Sequence, residues 1–448
     1  MNVTITSEVG EKTTGSGHAG SARTAGVVGL GYVGAPLAAG FARRGHRVVG
    51  YDIDADRVEM LKSGKSPFLH LSSDEMHRLV RENRFSPTQD HDDLKMASAI
   101  FICVPTPLDD HGSPDLSMLE KACVTISKII QPGQLISVES TSWPGTTAEF
   151  VRPILERSGL KCSEDFFLAF SPEREDPGNQ IYTLANVPKV VGADDQRSLE
   201  LALDYYSLIC DEVVSVGSTK VAEAAKLLEN SFRSVNIALV NELKVAFDLL
   251  DIDIWDVVAA ARTKPFGYMP FYPGPGVGGH CIPIDPAYLA WKAKKHGGHT
   301  QLIDLSLSIN EEMPEHIVAR TNELMRQFSK KDLKSAKVLL VGLAYKRNIE
   351  DFRESPALRI AQLLQREGAE IAWHDKHVRL DKSDWDDRNF KCVKSLENEN
   401  LTGFSAAIIV TDHDDVDYRA VVDAIPLVLD TRNVCARLRI VADHIFKV

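Results

Sequence analysis

Apolar positions along this chain fall into short runs that alternate with longer stretches of helical spacing. Ala25 to Leu30 is such a run. It enters Gly29-x-Gly31-x-x-Gly34, and Ala35 to Arg44 then repeats apolar residues at helical intervals. His46 to Tyr51 is a second run and ends at Asp52, which completes a β–α–β unit. Ala99–Val104, Leu135–Glu139, Phe167–Phe170 and Lys189–Val191 predict further strands, each bounded by turn or polar residues. A long helical pattern spans Ser218 to Leu250. Ser218 or Thr219 can cap it, and Glu223 lies in its first turns. Another helical stretch is predicted from Pro286 to Arg326. The strand–turn–helix rhythm then restarts with Lys337–Val341, the turn Gly342–Lys346, a helix over Pro356–Arg366 and a strand over Ala369–His374 that ends at Asp375. Ala406–Val410 and Leu427–Leu429 complete the pattern. The fold class expected is α/β: two doubly wound domains joined by a helical middle with one long central helix.

At 448 residues the chain exceeds what one core organises, so several domains are expected. Residues 1–24 are rich in Ser, Thr and Gly without an apolar core, and are expected to be a flexible tail, not a signal peptide. No apolar run is long enough to cross a bilayer. Seven cysteines at irregular spacing show neither a disulfide framework nor metal-ligand spacing, so a reducing cytoplasm and no metal are expected. The net charge of −12 argues against a general nucleic-acid binder.

Candidate chemistry concentrates in a few segments. The triple-glycine turn follows a strand and opens a helix, and Asp52 ends the next strand, the arrangement that binds a dinucleotide. Gly31 would admit the pyrophosphate to the helix N-terminus. Asp52 would bond the ribose hydroxyls and favour NAD over NADP. Arg57 could offset that charge or stack on adenine. The turns Val104-Pro105-Thr106-Pro107 and Ser140-Thr141 end neighbouring strands at the edge where such ligands bind. Lys226, Asn230 and Arg233 share one face of the long helix, which suits a pocket wall or a solvated stripe. Glu173 sits in a charged turn, Ser171 to Asn179, where it could act as acid, base or water-holder. Cys281 ends a glycine- and proline-rich loop, Phe271 to Asp285, that brings bare backbone N–H groups near a ligand; a tight surface turn around a buried thiol would read the same way.

Taken together, the chain resembles the UDP-glucose/GDP-mannose dehydrogenase family over about residues 25 to 440. The resemblance rests on GLGYVG at Gly29–Gly34, VPTP at Val104–Pro107, the Thr141 turn and SPE at Ser171–Glu173. It continues through Lys226-x-x-x-Asn230, GGHCIPID at Gly278–Asp285, Tyr345-Lys346…Arg353-Glu-Ser-Pro356 and Asp430-Thr-Arg432. It implies a Rossmann-like NAD-binding domain over 25–216, a central and dimerisation domain with the Cys loop over 217–326, and a nucleotide-sugar (UDP)-binding domain over 327–448. The C-terminal domain lacks the triple-glycine turn, which argues against a second dinucleotide site.

The resemblance also implies a four-electron oxidation of a UDP-sugar at C6, alcohol to carboxylate, with two NAD per turnover. Cys281 would be the nucleophile, and Lys226 and Asn230 would hold the reacting oxygens. Asp285 and Thr141 would assist water and proton steps, and Glu173 thioester hydrolysis. Gly29, Gly31, Tyr32, Val33, Gly34, Asp52, Arg57, Pro105, Thr106, Thr141 and Arg353 would hold the cofactor. Around the substrate it implies Glu173, Arg174, Glu175, Lys226, Asn230 and Arg233, then Phe271, Tyr272, Gly276, Gly278, Lys346 and Arg432. Ile284 stands where UDP-glucose members carry Lys. With Arg174–Asn179 and Arg233 it points to the UDP-N-acetylhexosamine branch, most similar to UDP-N-acetylglucosamine 6-dehydrogenases. UDP-glucose, UDP-N-acetylgalactosamine or UDP-N-acetylmannosamine are the alternative substrates, and a non-catalytic nucleotide-sugar-binding protein a remote one. Asn348 stands where an acidic residue is more usual, which leaves the hydrogen bonding of Arg353 open. The expected assembly is a homodimer or higher homo-oligomer without nucleic-acid or membrane partners.

Overall fold

The computed structural model describes residues 12–14, 23–68, 71–174, 176, 178–179, 181–334, 336–378, 390–397 and 401–448. The chain divides into two compact units. One comprises Met1–Glu229 with Trp291–Gly298, the other Asn230–Ala290 with His299–Val448. The helical middle expected over 217–326 is therefore shared between them. The long helix, Thr219–Asp248, is continuous over 30 residues.

The first unit holds a nine-stranded sheet: β1 (Lys12–Thr14), β2 (Thr24–Val28), β3 (Arg47–Tyr51), β4 (Phe85–Thr88), β5 (Ala99–Ile102), β6 (Leu135–Val138), β7 (Phe167–Phe170), β8 (Lys189–Ala193) and β9 (Glu212–Val216). Their order is β1-β9-β8-β7-β6-β5-β2-β3-β4. From β4 to β7 every pairing is parallel, and the chain order reverses between β2 and β5, where a doubly wound sheet opens its ligand crevice. Strands β2 and β5 are apolar and covered on both faces, as parallel strands must be. Part of the expected tail departs from expectation. Lys12–Thr14 forms β1, paired antiparallel with β9.

The second unit holds β10 (Lys337–Val341), β11 (Glu370–His374), β12 (Lys391–Cys392), β13 (Ala406–Ile409), β14 (Val428–Asp430) and β15 (Ile445–Lys447). These six run in the order β12-β11-β10-β13-β14-β15, all parallel. The same reversal recurs between β10 and β13. The helical stretch expected over 286–326 is two helices, Asp285–Lys295 and Gln301–Phe328. Gly297, at φ 77°, and Gly298 break it.

Candidate active site

In the first unit the three glycines of the β2 turn meet three different demands. Gly29 has φ 90°, and a Cβ there would lie 2.7 Å from the Cys103 carbonyl oxygen. A Cβ on Gly34 would lie 1.8 Å from the Gly29 oxygen. A Cβ on Gly31 would meet nothing within 4 Å, so the turn is open on that side. The helix that follows, Gly34–Arg43, has Val33 as N-cap, with no side-chain cap bond and no acidic residue in its first turn. Its leading N–H groups thus suit a ligand anion. Tyr32 packs on Phe68, ring centroids 4.8 Å apart.

Asp52 is buried, and its Oδ2 accepts the Leu30 N–H at 2.7 Å, while Oδ1 accepts Asp54 N–H at 3.0 Å. Arg57 donates to Asp52 Oδ2 at 3.1 Å and pairs with Asp54 at 3.1 Å. Its guanidinium is thus spent on the two carboxylates. Along the sheet edge, Ser140 Oγ donates to the Val104 carbonyl at 2.7 Å, tying the turn after β6 to the one after β5. Pro105 is exposed there, Thr106 buried and Thr141 half-buried.

A residue the sequence reading left as a helix-start acid fixes the Thr141 turn. The Glu223 carboxylate accepts Gly145 N–H at 2.5 Å, Thr147 N–H at 2.8 Å and Thr147 Oγ at 2.7 Å. Burial raises its carboxyl to about 7, although these donors pull the other way. The cap is Ser218, whose Oγ accepts Val221 N–H at 3.3 Å.

One turn on, Lys226 Nζ donates to the Glu173 carbonyl at 3.1 Å, so two predicted residues meet. Arg174 is held by Glu229 at 2.6 Å and by the Pro188 carbonyl at 2.6 Å. Glu175 lies outside the described residues. Behind Glu173 stands a buried ionic cluster that sequence reasoning missed: Lys189 Nζ lies 3.8 Å from Glu173 and 2.7 Å from Glu139.

In the second unit, Asn230 Nδ2 donates to Asp285 Oδ2 at 2.6 Å, and Arg233 reaches Asn230 Oδ1 at 3.4 Å. Cys281 is exposed, and its carbonyl accepts Asp285 N–H at 2.9 Å, the turn that opens the Asp285–Lys295 helix. The loop before it is shaped by close approach. A Cβ on Gly274 would lie 2.6 Å from Arg432, on Gly278 2.5 Å from the Glu354 oxygen, and on Gly279 2.8 Å from the Tyr345 ring. Gly276 has φ 119° and packs near the Asn310 carbonyl. Phe271 packs edge-on against Phe232 at 5.7 Å, and Tyr272 stacks on Trp255 at 5.5 Å. Lys346 is half-buried in the turn after β10.

Arg353 donates to Asp351 at 2.8 and 2.6 Å. Asn348, at φ 60°, bonds Asp414 instead at 2.6 Å, which settles the local bonding that Asn348 had left open.

The β10 turn repeats the β2 turn. Gly342 has φ 89°, and its N–H donates to the His374 carbonyl as Gly29 N–H does to Tyr51, both at 2.8 Å. Asp375 takes the place of Asp52. Its Oδ2 accepts Leu343 N–H, Ala344 N–H and His413 Nε2–H, and its Oδ1 accepts His377 and Val378 N–H. Burial opposes ionisation, but His413 and these donors hold the carboxyl well below its usual range. No helix follows directly; the next begins at Pro356 and is capped by Ser355.

Residues 23–209 match the NAD-binding domain of the UDP-glucose/GDP-mannose dehydrogenase family, 220–312 its central domain and 339–437 its UDP-binding domain. The chain belongs to this family. It is 37% identical over 420 residues to protein CapL of Staphylococcus aureus, covering 92% of this chain and 96% of that protein. To a UDP-N-acetyl-D-glucosamine 6-dehydrogenase of Pseudomonas aeruginosa it is 38% identical over 358 residues, covering 79% and 82%. The solved UDP-D-ManNAc dehydrogenase of Pyrococcus horikoshii superposes with a TM-score of 0.83 at 31% identity, covering 94% and 96%. The UDP-glucose/GDP-mannose dehydrogenase family makes this chain an NAD-dependent UDP-sugar dehydrogenase. The open side of Gly31 and the side-chain-free helix start fit the cofactor's pyrophosphate. Among the described residues, no helix is long and apolar enough to cross a membrane.

Proposed function

We propose that this chain oxidises UDP-N-acetyl-D-glucosamine at C6 to UDP-N-acetyl-D-glucosaminuronate, reducing two NAD per sugar through a thiohemiacetal and a thioester on Cys281. The observation that carries this reading is an exposed thiol on a close-packed glycine loop, followed one turn later by the buried Asp285–Asn230 pair. Lys226 and Asn230 hold the C6 oxygen as alcohol and as oxyanion. The Cys281 thiolate adds to the C6 aldehyde, which restores a carbinol from which a second hydride can leave. Asp285 and Thr141 serve proton and water steps, and Glu173 takes the proton of the water that hydrolyses the thioester. Bound NAD supplies the hydride acceptor. The glycine turn, Asp52 and the Pro105–Thr106 turn hold it.

By this reading residues 25–216 bind NAD, 217–326 carry the Cys loop and the subunit contact, and 327–448 bind the nucleotide. Exposed Leu228, Phe232 and Leu239 along the long helix support a homodimer. Seven free thiols support a cytoplasmic site of action.

The sugar assignment draws on Ile284, Arg233 and the relative from Pseudomonas aeruginosa. The Pyrococcus horikoshii relatives favour the 2-epimer, UDP-N-acetylmannosamine. NADH counted against UDP-N-acetylglucosamine, -mannosamine, -galactosamine and UDP-glucose decides. We expect about two NADH per sugar, and UDP-N-acetylglucosamine ahead of UDP-glucose by at least about tenfold in kcat/KM. A ratio near one with free aldehyde overturns the four-electron route, and a better rate with another sugar overturns the substrate.

A further inference from the structure

Three neighbouring strands of the first unit end in a buried ionic cluster. Lys189, the first residue of β8, has its ammonium 2.7 Å from Glu139 Oε2, just past β6, and 3.8 Å from Glu173 Oε2, just past β7. Tyr206 OH donates to Glu139 Oε1 at 2.8 Å and meets Ser137 Oγ at 2.8 Å. The ammonium also lies 5.3 Å from the centre of the Tyr206 ring. Glu139 and Tyr206 are fully buried, and Lys189 nearly so. Among the described residues, the other titratable groups facing the cluster are the Cys103 and Cys210 thiols, and Lys226, which bonds the Glu173 carbonyl.

Burial works against the Lys189 ammonium, but Glu139 and Glu173 outweigh it and hold it above the ordinary lysine range. A buried ion pair of this kind is weak evidence for a stabilising role, since apolar side chains of similar volume often serve as well. One of its carboxylates, Glu139, is sealed inside. The other, Glu173, lies in a turn at the sheet's ligand-binding edge.

We infer that Lys189 is a positioning residue for thioester hydrolysis: it fixes and charge-balances the Glu173 carboxylate from behind, and is itself anchored by Glu139 and Tyr206. The inference rests on the thioester reading above. In the step concerned, water oxygen adds to the thioester carbon and its proton passes to Glu173. The C–S bond then breaks, and Sγ of Cys281 leaves as thiolate. Lys189 touches none of the reacting atoms. Without it, the base is misaimed.

Two variants test this: Lys189→Met, and Lys189→Met with Glu139→Leu, which removes the buried charges together and keeps the core filled. Rapid mixing with UDP-sugar and excess NAD should give a burst of about two NADH per site at the wild-type rate. Steady turnover should then be at least about tenfold slower. Acid quenching should trap an acyl group on Cys281, seen by mass spectrometry, and hydroxylamine should restore turnover by attacking the thioester. Lys189→Arg should restore much of the rate. Unchanged turnover, or a burst slowed as much as the steady rate, overturns the role. If Lys189→Met does not fold, the double variant decides. A wild-type enzyme that releases one NADH and free aldehyde overturns the underlying thioester reading, and this inference with it.

Discussion

Asn230 donates its side-chain amide to the Asp285 carboxylate at 2.6 Å, and both groups are buried. The bond ties the long helix to the first residue of the helix that follows the Cys281 loop. Asn230→Ala leaves a carboxylate buried without that donor, which costs about 1.5–3 kcal/mol. The thermal midpoint should fall and kcat should drop by more than about tenfold. Asp285→Asn allows an amide–amide bond, so its midpoint should recover while its kcat does not. An unchanged midpoint in Asn230→Ala would show the bond to be incidental.

Cys281→Ser should keep the fold and NAD affinity, because the side chain is exposed and the change nearly isosteric. Turnover should fall by orders of magnitude, since an alkoxide leaves an ester far less readily than a thiolate leaves a thioester. Turnover near that of the wild type would remove Cys281 from the chemistry.

Asp52→Ala removes the acceptor of the Leu30 N–H and the partner of Arg57. KM for NAD should rise by about tenfold or more, as one charged hydrogen bond is worth about 1.5–3 kcal/mol. Arg57, then paired with Asp54 alone, should narrow the preference over NADP. Comparing kcat/KM for the two cofactors reads both effects, and an unmoved ratio would exclude Asp52 from cofactor choice.

Glu223 makes a pH-dependent contribution. Its carboxyl is raised from 4.5 to about 7 in the folded chain, mainly by burial. The folded state therefore holds this proton more tightly than the unfolded state. The stabilisation is complete below about pH 4.5 and lost as pH rises through about 7. Its full size is on the order of 3 kcal/mol. The stability of the wild type relative to Glu223→Gln should decline across that window, read from thermal midpoints at pH 5 and pH 8. A constant difference would mean that the carboxyl titrates normally.

Much of this architecture is legible from local pattern. Lys337–Val341, Phe167–Phe170 and the Pro356–Arg366 helix stand where apolar periodicity puts them, and the long helix differs from expectation by only a residue or two at each end. Strand β4 escaped because Pro87 interrupts it, which an edge position tolerates. The site divides the same way. Lys226, Asn230 and the Cys281 loop announce themselves by spacing within one segment. Lys189 pairs with Glu139 across 50 residues, and Glu223 with Gly145 across 78; sheet order alone creates such contacts, so no window of sequence displays them. Asp351 stands two residues before Arg353 in sequence, but only the folded turn shows that it, and not position 348, holds the guanidinium.

Asp375 is crowded in a way that Asp52 is not. Five hydrogen bonds from the surrounding chain already occupy its oxygens, His413 among the donors. A ribose hydroxyl arriving at the second sheet would have to displace one of them, whereas Asp52 meets the first sheet's crevice with fewer claims upon it. The carboxylate of the duplicated turn is thus already engaged, in part by His413. NAD is therefore expected to saturate at one equivalent per chain, and an equilibrium titration that reached two would show the second turn to be open.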